Sequence, residues 1–287
     1  MKKLFLKITA VLTLAAAMFT MTACGDKKDD KSENDTQTAM QARWAEEFSS
    51  FDDCKSYALT SYVYTDGKCK NDEAVNIDYV IRLTHYYDVK NNVALLDDDL
   101  AIKILTSGYS LTDIDLYENS EVSITPEINK YFFDGEWYHL NPDPIYLVED
   151  GEKCYSVTYD SKQQKYVGKL TESADFGELN LNMLSLYKML GGMYEYVESL
   201  GEFKPKESSA YLENIAISFP ESGKIKIDIL DEDGAIITST VYHSVNDVTI
   251  KVPEYTIVEE SETPATDGVT PKTDNETPAT DGDGAAA

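Results

Sequence analysis

The sequence predicts an α+β domain that is mostly antiparallel β-structure, with one amphipathic helix covering the sheet. Three observations support this fold class. Apolar and polar residues alternate in several separate runs, Asp-Gly turns lie between these runs, and one longer stretch has a helical period. We therefore expect a curved, one-sided sheet or an incomplete β-barrel, with one apolar face under the helix and one solvated face.

The alternating runs predict about ten strands between residues 40 and 255. The longest run places five apolar side chains on one face of a strand, and these are Val75, Ile77, Tyr79, Ile81 and Leu83. Shorter runs with the same period lie at residues 155–159, 215–219, 225–229 and 248–252. Two-residue hairpin turns are predicted at Asp66-Gly67, Asp134-Gly135, Asp150-Gly151 and Asp233-Gly234. Short connections of this kind favour an antiparallel meander.

Two stretches have helical spacing instead. Residues 38–51 predict a short helix at the start of the domain, with apolar side chains at Met40, Trp44, Phe48 and Phe51. Residues 178–200 predict a longer helix whose apolar stripe lies on the sheet. A Gly191-Gly192 pair interrupts this stripe and permits a kink or a close approach to another element.

The stripe of the 178–200 helix has two interpretations. Methionine and tyrosine side chains suit an adaptable ligand pocket, and they suit an ordinary packed core equally well. Under the pocket interpretation, the ligand-contacting residues are Met183, Leu186, Tyr187, Leu190, Met193, Tyr194 and Val197. Under the core interpretation, the same side chains fill the space between helix and sheet.

The N-terminal residues have the pattern of an export signal. Three lysines within the first seven residues are followed by apolar or small residues from 8 to 21, a stretch too short to span a bilayer as a mature helix. Small residues and then Cys24 come next, and the sequence becomes densely charged. This segment resembles the lipobox of bacterial lipoproteins, although Met21 stands where leucine is usual. The resemblance implies that the Cys24 thiol receives diacylglycerol, whereas an ordinary secretory signal with a chance cysteine is the alternative.

Composition divides the chain into four segments. Residues 1–23 are expected to be the lipoprotein signal peptide, 24–40 a disordered tether, 41–255 the folded domain and 256–287 a disordered acidic tail. The tail repeats ETPATDG and is rich in residues that bury too little apolar surface to offset the entropy of folding. We expect the mature protein to be anchored at the extracytoplasmic face of the cell membrane by lipid chains on Cys24, palmitate among them.

The net charge limits the partners. The chain has 25 Lys+Arg and 52 Asp+Glu, a net charge of −27, which becomes −30 when the signal peptide and its Lys2, Lys3 and Lys7 are removed. A surface this acidic repels phosphate backbones and anionic lipid headgroups, so we expect no nucleic-acid partner. The sequence pattern names no protein partner.

The sequence contains no recognised motif of catalysis, nucleotide binding or metal binding. The three histidines, His85, His139 and His243, lie in separate runs, and no H-E-x-x-H, G-x-S-x-G or P-loop pattern occurs. An EF-hand aligned on Gly234 needs carboxylates where Ile229 and Thr240 stand. We therefore expect no enzymatic activity, no cofactor and no metal site, and a simple turn at residues 228–234.

The remaining cysteines are odd in number. If Cys24 carries lipid, then Cys54, Cys69 and Cys154 are left, and these cannot form a complete set of disulfides. A bridge between Cys54 and Cys69 and three free thiols are both open interpretations.

Two local motifs resemble those of the LolA/LppX-like lipoproteins. Residues 130–140 (KYFFDGEWYHL) resemble their Y-x-x-D-G-x-W-Y hairpin, and residues 240–253 (TVYHSVNDVTIKVP) resemble the strand that closes their domain. The resemblance covers residues 50–255. It implies an incomplete β-barrel that wraps around helices and encloses a hydrophobic cavity able to hold acyl chains.

Two functions follow as expectations. The first is a membrane-anchored extracytoplasmic lipoprotein that binds a lipid or another hydrophobic small molecule in a cavity between sheet and helix. The second is a non-enzymatic surface or envelope interaction protein with a filled core, which predicts an exposed apolar patch of roughly several hundred Å². The volume between helix and sheet distinguishes the two.

The lipid anchor is tested by the Cys24→Ala variant, which removes the thiol that would carry the lipid. Each buried CH₂ contributes about 0.8 kcal/mol to membrane binding, so we expect the variant to leave the washed membrane fraction almost completely. Ultracentrifugation and intact mass measure the two effects, with Cys69→Ala as the matched control. Complete membrane retention of Cys24→Ala at unchanged mass would contradict the anchor.

Overall fold

The computed structural model describes residues 31–96, 100–114, 131–140, 144–171, 174–207, 212 and 214–258. Two α-helices lie within these ranges, α1 (Lys31–Ser49) and α2 (Glu178–Met189). The first eight strands are β1 (Tyr57–Cys69), β2 (Asp72–Asp88), β3 (Val93–Leu96), β4 (Ala101–Ile104), β5 (Phe132–Phe133), β6 (Tyr138–His139), β7 (Ile145–Asp150) and β8 (Lys153–Asp160). The others are β9 (Lys165–Thr171), β10 (Tyr194–Val197), β11 (Glu202–Pro205), β12 (Ile215–Ser218), β13 (Ile225–Leu230), β14 (Ile236–His243) and β15 (Tyr255–Val258).

All fifteen strands belong to one open sheet, which confirms the predicted α+β class. The main path runs β10-β11-β12-β13-β14-β1-β2-β3-β7-β8-β9-β15, and each pair along it is antiparallel except β9 with β15. Short turns connect most neighbouring strands, as a meander requires. The sheet does not close into a barrel.

The 17-residue strand β2 is the point where the sheet divides. One side of β2 pairs with β1 along the length of the hairpin. The other side pairs first with β4, at Tyr79–Arg82, and then with β3, at Tyr86–Asp88. The β4 branch carries β6 and β5, whereas the β3 branch continues to β15. The five alternating apolar residues predicted for β2 do share one face, where they form a small core with Leu111 and Ile114.

The same face of the sheet carries the main core, which is dominated by aromatic rings. Trp44 of α1 is its centre: the ring centroids of Phe48 and Phe203 lie 4.9 Å away, and that of Tyr194 lies 5.0 Å away. The other buried aromatic members are Phe51, Tyr57, Tyr87, Phe176, Tyr187, Phe219 and Tyr242. Helix α1 and helix α2 therefore cover this face with interlocking side chains.

Helix α1 is fixed to the sheet by polar contacts at its sides. Arg43 donates a hydrogen bond from Nη2 to the Phe219 carbonyl oxygen at 2.8 Å. The buried Glu47 carboxylate accepts one from the Gly223 backbone N–H at 2.7 Å. Because both partners lie at the β12–β13 turn, α1 cannot move away from the sheet without breaking them.

The predicted 178–200 helix is only half correct. Helix α2 ends at Met189, a 3₁₀ turn follows at Leu190–Met193, and the chain then enters β10. The reason is the contact of Gly191 with Trp44: a Cβ atom at this position would lie 2.7 Å from the indole Nε1. Only glycine lets the backbone come this close to the ring.

The predicted strand at residues 248–252 is wrong, although its alternating burial is real. Residues 244–254, here called the C-terminal strap, have no strand assignment. They connect β14 to β15, which six strands separate in the sheet, a gap of about 34 Å at 4.8 Å per strand. Eleven extended residues span about 36 Å. The strap thus crosses the second face instead of pairing with an edge, so the sheet is partly covered on both faces.

Segment boundaries also differ from the predicted ones. Helix α1 begins at Lys31, so ten residues assigned to the tether are helical. At the other end β15 continues to Val258, three residues into the predicted tail. The predicted signal peptide, Cys24 and the part of the predicted tail from residue 259 onward lie outside the described residues. Within the described ranges, no helix is long and apolar enough to cross a membrane.

The packing of Gly191 is tested by the Gly191→Ala variant. The new methyl group would collide with Trp44, which is held by rings on several sides, so we expect a loss of about 1–3 kcal/mol in the free energy of unfolding. Gly192→Ala is the matched control, because no atom lies within 4 Å of its Cβ position. Urea denaturation measures both. Equal stability of the two variants would contradict the tight contact.

Candidate functional site

Five of the seven residues proposed as ligand contacts lie in the aromatic core or pack against it. Tyr187 and Tyr194 are buried members of the aromatic core, and Met183, Leu190 and Met193 pack at its margin. The remaining two, Leu186 and Val197, are half-buried. The structure splits this set between α2, the 3₁₀ turn and β10. The side chains therefore act mainly as core.

The tyrosine hydroxyls in this region behave as parts of a packed interior. Burial raises the pKa of Tyr187 to about 12, and it also raises the pKa of Tyr57 and Tyr242. Tyr57 donates a hydrogen bond from its hydroxyl to the Gly177 carbonyl oxygen at 2.7 Å. These three phenols therefore stay neutral across the physiological range.

A groove lies on the opposite face of the sheet, beneath the C-terminal strap. Its floor is a row of three neighbours on adjacent strands, Tyr86, Leu95 and Tyr146, which the strand register places side by side. The strap supplies the walls, with Ser244, Asp247, Val248, Thr249, Ile250 and Lys251. The groove has a volume of about 300 Å³ and is open to solvent. The strap contributes both aliphatic and polar side chains to this lining.

A short hydrogen-bonded chain holds the start of the strap against the sheet. The His243 ring contacts the Ser244 hydroxyl through Nδ1 at 2.9 Å and the Thr60 hydroxyl through Nε2 at 3.1 Å. Thr60 in turn contacts the Thr84 hydroxyl at 3.2 Å. Burial, and secondarily the positive charge of Lys224, lower the pKa of His243. A neutral imidazole can both donate and accept here, which suits a structural role.

The second candidate site is the aromatic hairpin, residues 131–140, which consists of β5, β6 and the turn between them. Its three aromatic residues before the turn, Tyr131, Phe132 and Phe133, are exposed to solvent. Phe133 stacks on Tyr138 across the hairpin, with ring centroids 4.4 Å apart. The run Y-F-F indicates from sequence only that these rings cannot all lie on one face, because consecutive residues of a strand point to opposite faces.

Asp134 fixes the turn of the aromatic hairpin. Its carboxylate accepts hydrogen bonds from the backbone N–H groups of Glu136, at 2.9 Å, and Trp137, at 2.7 Å. It also contacts His139 Nε2 at 2.9 Å. These contacts, the one with His139 first, lower the pKa of Asp134. The hairpin is therefore a defined structure rather than a loose loop.

The base of the aromatic hairpin is attached to the sheet through Trp137. The Arg82 guanidinium lies 4.5 Å from the centroid of this ring and the Lys103 ammonium lies 5.8 Å from it, both within cation–π range. Lys103 also forms an ion pair with Glu136. Two cationic side chains therefore lie against the half-buried Trp137 ring at the base of the hairpin.

The other side chains considered from sequence are explained by local structure. Cys54, Cys69 and Cys154 are free thiols, so the Cys54–Cys69 bridge is not formed. No cluster of three or more His, Cys, Asp or Glu side chains with metal-binding geometry occurs among the described residues. Asp231 bonds the backbone N–H groups of Asp233 and Ala235, which confirms the predicted turn.

Comparison with known proteins adds no family to these observations. No protein-family model matches the chain, and no curated protein matches it at a significant level of similarity. The motif at residues 130–140 corresponds to the aromatic hairpin, and the motif at 240–253 corresponds to the end of β14 and the strap. The resemblance to LolA/LppX-like lipoproteins stays a prediction based on these two short motifs. The functional proposals below therefore rest on the geometry of the groove and the hairpin.

Proposed function

We propose that this chain is a lipid-anchored extracytoplasmic protein that recognises a protein partner through the aromatic hairpin. The observation that carries the proposal is the distribution of aromatic side chains. Rings fill the interior between the helices and the sheet, while Tyr131, Phe132 and Phe133 face solvent on an ordered hairpin. A filled interior and exposed apolar side chains fit the interaction hypothesis, whereas the lipid-cavity hypothesis predicts an open space between sheet and helix.

A protein partner fits the chemistry of the hairpin better than a nucleic acid or an anionic lipid. Aromatic residues and arginine are enriched at the centres of protein–protein interfaces, and a polar rim usually surrounds them. Here Arg82 and Lys103 lie against Trp137, a ring of the same hairpin that carries the exposed aromatic side chains. The net charge of −27 repels polyanions at long range. The anchor on Cys24 would keep the hairpin near partners at the membrane surface.

Site-specific photo-crosslinking in intact cells tests this function. A photoreactive phenylalanine analogue at Phe132, whose side chain is 62% exposed, should give one discrete adduct of higher mass. The matched control position is Leu200, which is 54% exposed in a turn away from the hairpin. We expect the adduct at position 132 to exceed that at position 200 by at least fivefold.

A second substitution separates recognition from chance collision. Phe133→Ser removes a neighbouring ring without changing the photoreactive position, so the specific adduct should fall severalfold because a truncated hot-spot residue commonly costs about 2 kcal/mol or more. Equal adduct yields at positions 132 and 200, or an adduct insensitive to Phe133→Ser, would contradict the proposal.

The groove beneath the strap favours a second candidate function, the binding of a small amphipathic molecule. A volume of about 300 Å³ is at the lower end of the range for small-molecule sites. The floor of Tyr86, Leu95 and Tyr146 suits an apolar group, and Lys251 and the hydroxyls at the rim suit a polar one. This location differs from the cavity expected between sheet and helix.

The neutral fluorescent dye N-phenylnaphthylamine tests the groove. We expect saturable binding at one site, and we expect Leu95→Glu to weaken it at least tenfold because a carboxylate would lie in the apolar floor. Leu105→Glu is the control, since Leu105 is exposed and does not line the groove. Fluorescence titration measures both variants. Equal affinity in the two variants would exclude this site.

A further inference from the structure

The two ends of the sheet are protected to very different degrees. Strand β10 is at one end of the main path and β15 is at the other. An edge strand presents unpaired backbone N–H and C=O groups and can pair with another chain unless it is covered. Whether another element covers an edge strand therefore indicates whether that strand can pair with a partner.

Helix α1 covers the β10 edge with glutamine side chains. Gln37 Nε2 donates to the Tyr196 carbonyl oxygen at 2.6 Å, and Gln37 Oε1 accepts from the Tyr196 N–H at 3.1 Å. Gln41 Nε2 donates to the Tyr194 carbonyl oxygen at 3.1 Å. The side-chain amide of Gln37 thus makes the same pair of hydrogen bonds that a neighbouring strand would make. This edge is closed.

Within the described ranges, the outer edge of β15 has no partner strand. In the part of the chain that the structure describes, β15 pairs with β9 alone, from Tyr255 beside Tyr166 to Val258 beside Lys169. The side chains of Ile257 and Val258 are exposed, as is that of Leu170 on β9. An apolar strand whose outer backbone edge is unpaired among the described residues is suited to pairing with a further strand.

We propose that the outer edge of β15 binds an extended segment of another protein by strand addition, and that this segment is apolar with basic residues at its ends. Acidic residues flank β15 in the sequence. Glu254 precedes the strand and Glu259 and Glu260 follow it, in a chain with a net charge of −27. Lysine or arginine at the ends of the incoming strand would complement these carboxylates.

Neither a second copy nor the chain's own tail satisfies these conditions. A second copy would offer another β15 strand, which is preceded by Glu254 and followed in the sequence by Glu259 and Glu260, so its ends are acidic and not basic. The tail from residue 259 contains prolines at 264, 271 and 278 and a single branched aliphatic residue, Val269. Such a sequence is a poor strand former.

This inference goes beyond recognition by the aromatic hairpin and does not depend on it. The hairpin belongs to the branch of the sheet that begins at β4, whereas β15 ends the branch that begins at β3. The two surfaces can therefore be tested separately, and either can fail alone.

The experiment measures binding of a synthetic peptide, KTVTVTK, to the full mature chain in detergent. Interferometry with the immobilised peptide gives the affinity. We expect Ile257→Lys to weaken binding at least tenfold, because it places a cation in the apolar edge opposite a basic peptide. Ile237→Lys is the matched control: Ile237 is 43% exposed and Ile257 is 47% exposed, but Ile237 lies on β14, an internal strand. The affinity of the Ile237→Lys variant for the peptide should stay within twofold of that of the wild type.

Changes to the peptide keep the test decisive even if a variant folds poorly. N-methylation of alternate backbone amides that face β15 should abolish binding, and replacement of both lysines by glutamate should weaken it at least tenfold. Absence of KTVTVTK binding, indifference to N-methylation, or equal affinity of the glutamate peptide would overturn the proposal. So would concentration-dependent dimers that Ile257→Lys converts to monomers, since they would assign the edge to a second copy.

Discussion

The close approach of Gly191 to Trp44 is the contact on which the rest of the structure depends. It brings the end of α2 directly onto the indole ring, whose Nε1 donates to the Lys188 carbonyl oxygen at 3.4 Å. With the backbone held there, Tyr194 enters the core and the chain leaves the helix for β10. Aromatic side chains thereby pack into the interior where a ligand cavity was predicted, and the two candidate surfaces for recognition lie outside it.

The period of apolar residues predicted much of the fold. The alternation along β2 identified the buried face correctly, because a strand in a sheet has only two faces and one of them is covered. The stripe at 178–200 was ambiguous beyond Gly191, since Tyr194 and Val197 continue a helical spacing while Tyr194 and Tyr196 also alternate. The contact with Trp44, a residue far away in the sequence, decided between the two, and no local pattern encodes it.

The candidate sites were less predictable than the fold. Alternation at Val248, Ile250 and Val252 correctly indicates an extended segment with one buried side, but it cannot distinguish a strand in the sheet from a strap across its face. The groove under the strap exists only because of that crossing. The exposure of Phe132 follows from the branching of the sheet at β2, which places β5 at the end of a short arm. Long-range topology determines both sites.

The central claim is that the interior between the helices and the sheet has no room for a hydrophobic ligand. The chain has two tryptophans, so Trp137→Phe leaves Trp44 as the single reporter in that interior. A brominated fatty acid quenches tryptophan fluorescence only on contact, and titration of the variant with this ligand measures access directly. The account predicts no saturable quenching of Trp44. Saturable quenching would show that an acyl chain reaches the aromatic core and would contradict the account.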